Sequence, residues 1–151
     1  MKNLFLSFVL LFCIGSAYSQ WSFESVTNGF DDPYRIAYTT QNNSAILKLE
    51  NVDGAIFFYI QGGYYCDETP SIDLVFVVNG ENIRYSINGL KSDKDNVIFF
   101  TGDLMNEEMV ESFKKCSTLK IRVNESYCTS ETYSFNMSKS TSALTYILNK
   151  Q

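Results

Sequence analysis

Short runs of alternating apolar and polar residues, separated by turn residues, recur along most of the chain. The clearest example lies on the two sides of Asn79-Gly80, where apolar side chains alternate over Ile72–Val78 and again over Ile83–Ile87. Alternation with a period of two residues is typical of half-buried strands. Asn-Gly favours a two-residue hairpin because both residues tolerate positive φ. The pattern therefore predicts a β-hairpin here and an all-β domain overall.

The other alternating runs predict further strands, of which Ile56–Gln61 is the most apolar in the first half of the chain and is expected to lie centrally. Lys91–Asn96 is predicted to be a polar loop, and Ser140–Leu148 either a short helix or a final strand. The predicted strands are Trp21–Val26, Tyr34–Thr40, Ala45–Glu50, Ile56–Gln61, Ile72–Val78, Ile83–Ile87, Val97–Thr101, Leu119–Val123 and Thr132–Met137.

One segment follows the helical period instead. Met105, Met109 and Phe113 recur four residues apart, which places them on one face of a helix from about Asn106 to Lys115. Acidic residues in its first turn and lysines in its last turn complement the helix dipole. The chain has only two prolines and eight glycines, so no flexible linker divides it. We predict one domain, an antiparallel β-sandwich or open barrel of roughly eight to ten strands with one surface helix.

The first nineteen residues have the layout of a secretory signal peptide: Lys2, an apolar run over Leu4–Ile14, and the small-x-small triplet that ends at Ser19. The apolar run is too short for a membrane-spanning helix, which needs about 20 residues. Two alternatives are an uncleaved anchor and a lipid anchor on Cys13. Cleavage after Ser19 is the preferred interpretation, which predicts a secreted or periplasmic protein of residues 20–151 without an integral membrane span.

Charge and residue types exclude several classes of function. Removing residues 1–19 removes one Lys and no acid, so residues 20–151 have a net charge of −6 against −5 for the whole sequence. Phosphate backbones are bound mainly through Lys and Arg, so we expect no nucleic-acid partner. The sequence contains no His, which excludes Ser–His and Cys–His dyads and removes the commonest zinc ligand.

Three cysteines, Cys66, Cys116 and Cys128, lie outside the predicted signal peptide. In an oxidising compartment we expect one disulfide and one free thiol. The sequence leaves all three pairings open. Cys66–Cys128 is slightly favoured because each of these cysteines follows a Tyr near a strand end, and Cys116–Cys128 ranks close behind.

The candidate ligand contacts are Tyr64 and Tyr65, which follow Gly62-Gly63 at the end of a predicted strand. Tyrosines at loop positions are good contacts for sugars, peptides or proteins, although Tyr also commonly packs on the half-buried side of a sandwich. The acidic stretches Asp31-Asp32 and 93–96 are interpreted as solvated turns, with an irregular calcium site as the alternative. The adjacent acids 67–68 and 107–108 are expected in turns and helix starts, so no catalytic, metal or cofactor residue is predicted.

The layout of residues 20–151 resembles small exported bacterial β-sandwich proteins that have no assigned activity. The matching features are Trp21, the sequence Asp32-Pro33-Tyr34-Arg35 leading into a strand, the strand Leu119–Val123, and a closing Phe135-x-Met137 followed by Ser142-Ala143-Leu144. The resemblance implies a β-sandwich and export, and it implies no activity. A shared fold does not itself indicate a function.

Three functions are compatible with these observations. The first is an exported non-enzymatic binding or structural protein whose ligand is an unknown protein or glycan, with a binding face around Tyr64 and Tyr65. The second is a hydrolase inhibitor or enzyme accessory subunit that fills a cleft with a disulfide-pinned loop. The third is a carboxylate-based enzyme, which would need clustered acids in a deep pocket. A flat aromatic patch would favour the first.

Overall fold

The computed structural model describes residues 21–27, 34–41, 44–52, 54–92 and 96–149. The signal-peptide prediction for residues 1–19, the Asp31-Asp32 turn and residues 93–95 of the predicted polar loop lie outside these ranges. The described elements are β1 (Ser22–Val26), β2 (Tyr34–Gln41), β3 (Ala45–Val52), β4 (Ala55–Gln61), β5 (Ser71–Val78), β6 (Glu81–Asn88), β7 (Leu90–Ser92), β8 (Val97–Thr101), α1 (Glu107–Lys115), β9 (Thr118–Asn124), β10 (Glu131–Asn136) and α2 (Ser140–Leu148).

The strands form two antiparallel sheets, which confirms the predicted sandwich. A six-stranded sheet has the order β1-β2-β3-β4-β8-β7, and a four-stranded sheet has the order β10-β9-β5-β6. Over the described residues neither sheet closes on itself, and the division of the strands into two separate sheets makes the architecture a sandwich. The strand β4 pairs with β3 and β8 and is therefore central, as its apolar composition predicted.

Alternate residues of both sheets fill one core between them. In β3 and β4 the inward residues are Leu47, Leu49, Phe58 and Ile60, all of them buried. The four-stranded sheet contributes a matching layer, so each sheet covers the apolar face of the other. Its buried side chains are Ile72, Leu74, Phe76, Leu119, Ile121, Val123, Tyr133 and Phe135.

The hairpin predicted at Asn79-Gly80 is confirmed. Both turn residues have positive φ, 52° at Asn79 and 85° at Gly80, and Val78 pairs directly with Glu81. Positive φ at both central positions is what a type I′ turn requires, and its twist matches that of the flanking strands. The turn fixes the register of β5 and β6, so Leu74 and Phe76 face the core.

The predicted helix is also confirmed, as α1. The Asn106 side chain accepts a hydrogen bond of 2.9 Å from the backbone N–H of Met109, so it caps the N-terminus. Its buried face includes Met109 and Phe113. The ring of Phe113 meets Trp21 and Phe58 edge-on, with centroid distances of 6.4 and 5.6 Å. Phe113 therefore joins the helix to the six-stranded sheet.

The C-terminal segment, for which the sequence left helix and strand open, is a second helix, α2. It packs against β2, β3 and α1. Side chains of the six-stranded sheet satisfy carbonyls in its last turn, because Arg35 Nη1 donates to the Tyr146 carbonyl at 3.1 Å and Asn51 Nδ2 donates to the Ile147 carbonyl at 2.9 Å. These bonds form only between distant parts of the chain, which is why the local pattern left helix and strand open.

The predicted polar loop begins too early. Leu90–Ser92 forms β7, in which Lys91 pairs with Ile98 of β8. A short strand at a sheet edge does not require apolar alternation, so the local composition gave no strand signal. Within the described ranges, no helix has the length and apolar character needed to cross a bilayer.

Candidate functional site

The outer face of the six-stranded sheet carries a groove of about 760 Å³. Its walls and floor include Ile36, Tyr38, Lys48, Phe57, Tyr59 and Phe99, and we call these residues the aromatic groove. They come from four adjacent strands and point away from the core, because side chains alternate between the two faces of a sheet. Six strands span about 24 Å from one edge of this face to the other.

One row of the groove runs straight across the sheet. Tyr38 of β2 pairs in register with Lys48 of β3, Lys48 with Tyr59 of β4, and Tyr59 with Phe99 of β8. The rings of Tyr59 and Phe99 lie 5.9 Å apart, and Phe57 packs beside Tyr59 at 6.2 Å. These rings are half-buried, so the groove presents apolar ring surface that the described part of the chain leaves uncovered.

Polar groups stand between the rings. Lys48 Nζ lies 4.0 Å from the centroid of the Tyr59 ring and 2.9 Å from Glu50 Oε2. Glu50 is only 8% exposed, which is unusual for a carboxylate on an outward face. Tyr38 donates a hydrogen bond of 2.9 Å to Glu24. The groove thus combines ring faces with fixed donors and acceptors.

The Tyr59 hydroxyl keeps its proton over the physiological range. Burial, together with the negative Glu50 that accepts a hydrogen bond from this hydroxyl, raises the pKa of Tyr59 to about 12. The cluster of Lys48, Glu50 and Tyr59 therefore offers an ammonium and a carboxylate already paired, beside a hydroxyl that stays neutral. Such a cluster is suited to hydrogen bonding with polar groups of a ligand.

The sequence contained a signal for this groove. Neighbouring residues are both apolar in Phe57-Phe58 of β4 and Phe99-Phe100 of β8, so these strands are apolar on two faces. A strand covered on one side only should be apolar on one face. Tyr34, Ile36 and Tyr38 share the outer face of β2, since the alternate residues Ala37 and Thr39 are buried.

The predicted contact pair Tyr64 and Tyr65 does not act as a pair. Tyr64 is 74% exposed, whereas Tyr65 is fully buried and cannot contact a ligand in this conformation. The position of Tyr65 is a correction to the sequence interpretation, and Tyr64 as a contact stays a prediction. A different tyrosine, Tyr127 in the β9–β10 turn, is 88% exposed. Tyr127 directly precedes Cys128 in the sequence, and it was not among the ligand contacts predicted from the sequence.

Tyr65 is buried because it belongs to an internal hydrogen-bonded pair. Its hydroxyl lies 2.8 Å from the Tyr133 hydroxyl, and its backbone N–H donates to Asn96 Oδ1 at 3.0 Å. Gly63 lies directly over this pair, where a Cβ atom would overlap the Tyr133 hydroxyl. Burial raises the pKa of both Tyr65 and Tyr133. The pair therefore joins the β4–β5 connection to the four-stranded sheet.

We expect this pair to make the protein sensitive to alkali. Above the ordinary tyrosine pKa of 10.0, the unfolded chain loses protons that Tyr65 and Tyr133 retain when folded, so stability falls as pH rises. The urea midpoint should drop between about pH 8 and about pH 11, and Tyr65→Phe, Tyr133→Phe should reduce that drop. Tyr64→Phe is the control and should leave it unchanged. An equal drop in the double variant would contradict the assignment.

The disulfide forms between Cys66 and Cys128, the pairing that the sequence slightly favoured. Their Cα atoms are 6.1 Å apart, and the bond connects the β4–β5 connection to the β9–β10 turn. Glu125 Oε2 accepts hydrogen bonds from the backbone N–H groups of Cys66 and Asp67, at 3.1 and 2.8 Å. Among the described cysteines Cys116 is the free thiol, and burial raises its pKa to about 12, so it is protonated near neutral pH.

One cluster of the described residues has the spacing of metal ligands. The sulfur atoms of Cys66 and Cys128 and a carboxylate oxygen of Glu125 all lie within 4.8 Å of one another. The sulfurs are bonded to each other, however, so the cluster offers a metal a single carboxylate.

Asp67 and Glu68 lie beside this disulfide, and Glu107 and Glu108 begin α1, as the sequence predicted.

Comparison with known proteins gives no relative from which a function could be carried over: no family model, curated protein or solved structure matches this chain. The resemblance to small exported bacterial β-sandwich proteins therefore stays a prediction.

Proposed function

We propose that this chain is an exported binding protein that takes a neutral glycan in the aromatic groove. The observation that carries the proposal is the in-register row of Tyr38, Lys48, Tyr59 and Phe99, which lies open to solvent on one sheet face. Ligand sites are concave and mainly apolar, with a few fixed polar groups. The groove has each of these properties.

The chemistry of sugars matches the arrangement of the groove. One face of a pyranose ring carries C–H bonds that pack against the negative face of an aromatic ring, while the hydroxyls at its rim need donors and acceptors. Phe57, Tyr59 and Phe99 supply ring faces, and Lys48 and Glu50 supply polar partners beside them. The width of the sheet, about 24 Å, suits several sugar units in a row.

Binding without bond cleavage is the activity we propose. Among the described residues two acids flank the groove, and both are already engaged: Glu50 with Lys48, and Glu24 with the Tyr38 hydroxyl. A glycosidase needs one acid free to donate a proton and a second free to attack or activate water. The Cys66–Cys128 disulfide supports the proposed export, because disulfides persist mainly outside the cytoplasm.

Native gel electrophoresis through soluble neutral polysaccharides tests the proposal. We expect the protein to be retarded by at least one of β-glucan, xylan, galactomannan and dextran. Tyr59→Ala should then lower the affinity at least tenfold, about 1.4 kcal/mol, because it removes the central ring of the row. Tyr59→Phe keeps the ring and should retain most of the binding. Unaltered mobility in every gel, or full affinity in Tyr59→Ala, would contradict the proposal.

A second candidate is a protein-binding or inhibitory role for the disulfide-pinned tip, which consists of the exposed Tyr64 and Tyr127 with Cys66–Cys128 between their loops. Exposed tyrosines on fixed loops are typical anchors of protein interfaces. Tyr64→Ala, Tyr127→Ala is therefore the matched control for the gel experiment. Retained glycan binding in this variant supports the groove, whereas loss of glycan binding with Tyr59→Ala unaffected would place the glycan contacts at the tip and contradict the groove.

A further inference from the structure

The outer face of the four-stranded sheet differs from the aromatic groove in its charge. Its outward residues include three bases, Arg84 on β6 and Lys120 and Arg122 on β9, and we call these three residues the basic face. All three are exposed. Asp73 of β5 is the one acid among the outward residues of these strands. The whole chain has a net charge of −5, whereas this face is net positive. Charge is therefore distributed unevenly over the surface, which composition alone does not show.

Strand pairing sets the spacing of the three bases. Arg84 pairs with Val75, and Val75 pairs with Lys120, so Arg84 and Lys120 are about 10 Å apart across β5. Arg122 follows Lys120 by two residues on the same face, at about 7 Å. Asp73 lies among these bases: it pairs in register with Arg122 on one side and with the neutral Ser86 on the other, so three positive charges face one negative charge.

The bases are not engaged in ion pairs with the rest of the described chain. The salt bridges among the described residues involve Lys48, Lys114 and Lys115. The Asp73 carboxylate accepts a hydrogen bond of 2.9 Å from the Asn124 amide, and Arg122 and Arg84 attract it without forming a salt bridge with it. A depression of about 330 Å³ lies between Asp73, Val75, Arg84 and Ser86. The three cations of the basic face therefore form no salt bridge with the described residues, and Arg84 borders this shallow depression.

We propose that the basic face binds a linear anionic polysaccharide, whose acidic groups pair with Arg84, Lys120 and Arg122. The guanidinium fork of Arg matches the geometry of a carboxylate and binds it through two parallel hydrogen bonds. The remaining outward residues include the hydroxyl side chains of Ser86, Thr132 and Ser134, which suit the hydroxyls of a sugar chain.

A thin polymer fits this face better than a membrane or a nucleic acid. An extended anionic bilayer would also meet the acidic remainder of the protein, whereas a single strand touches the basic face alone. Sequence-independent binding of single-stranded nucleic acid uses aromatic side chains as stacking platforms. The outward positions of β5, β6, β9 and β10 carry no aromatic residue.

Binding of polygalacturonate, measured by calorimetry with neutral dextran as the comparison polymer, tests the proposal. We expect polygalacturonate to bind and the triple variant Arg84→Gln, Lys120→Gln, Arg122→Gln to lose at least tenfold in affinity. Raising NaCl from about 10 mM to about 1 M should also abolish binding, because it shortens the Debye length from about 30 Å to about 3 Å. The altered side chains are exposed, so the variant should keep its far-UV circular dichroism and urea midpoint.

The matched control removes the same charge elsewhere, with Lys114→Gln, Lys115→Gln, Lys139→Gln, and should retain full affinity. Tyr59→Ala should also retain it, which separates this proposal from the aromatic groove. Equal losses in the two triple variants, no binding of polygalacturonate, or equally tight binding to vesicles of equal parts phosphatidylcholine and phosphatidylserine would each overturn the proposal. Equally tight binding to single-stranded DNA would overturn it as well.

Discussion

Phe113→Ala is expected to lower the free energy of unfolding by about 3–5 kcal/mol, the loss found when a fully buried Phe is truncated. Phe113 is 1% exposed and touches Trp21 and Phe58 edge-on, so its ring connects α1 to the beginning of β1 and to the central strand β4. Helix propensity acts in the other direction, because Ala favours a helix more than Phe does. The expected loss of stability therefore comes from the packing of the Phe113 ring and not from helix propensity.

Urea unfolding of purified protein, followed by circular dichroism, gives the comparison. Val110→Ala is the control on the same helix, and it should destabilise the protein less because Val110 is only partly buried. Phe113→Leu keeps most of the apolar volume and should recover much of the stability. A loss below about 1 kcal/mol for Phe113→Ala would show that α1 does not anchor the sandwich.

The architecture was predictable because local patterns and the final packing agree. Alternation places Leu74 and Phe76 on one face of β5, and the register set by Asn79-Gly80 turns that face to the core. Residues four apart place Met109 and Phe113 on one face of α1, and that face is buried. Where the apolar residues of a periodic pattern lie on one side only, the pattern predicts both the type of element and the side of it that faces the core.

The candidate groove was harder to predict because β4 and β8 are apolar on both sides. Phe57 and Phe58 are neighbours in sequence, yet Phe58 fills the core while Phe57 lines the groove. Only the pairing of four strands shows that Tyr38, Lys48, Tyr59 and Phe99 form one row. Such pairings join residues far apart in the sequence, so no local pattern reports them.

Tyr64 and Tyr65 show the same limit in a smaller region. Both are tyrosines that follow Gly62-Gly63, yet Tyr64 is exposed to solvent and Tyr65 is buried in the sandwich. What separates them is Tyr133, a partner 68 positions away whose hydroxyl meets that of Tyr65. A buried polar side chain requires such a partner, and the partner becomes visible only once the sheets are packed.

Removing the disulfide with Cys66→Ser, Cys128→Ser is expected to destabilise the protein by about 4 kcal/mol, the entropy that a crosslink of this loop length removes from the unfolded chain. The two cysteines are 62 residues apart in sequence. The folded loops should keep their positions, because Glu125 holds the N–H groups of Cys66 and Asp67, and Asp67 Oδ2 accepts a hydrogen bond of 2.6 Å from Ser126. The effect therefore lies mainly in the unfolded state.

Reductant supplies the control for this prediction, measured again as urea unfolding. Reduced wild-type protein should unfold near the midpoint of the double variant, whose own midpoint should not respond to reductant. Cys116→Ala leaves the crosslink intact and should still respond, because Cys116 is a buried free thiol. A loss below about 1 kcal/mol would mean that the hydrogen bonds of Glu125 suffice without the crosslink. The full loss would make the fold markedly weaker in a reducing cytoplasm, which is the condition that proposed export avoids.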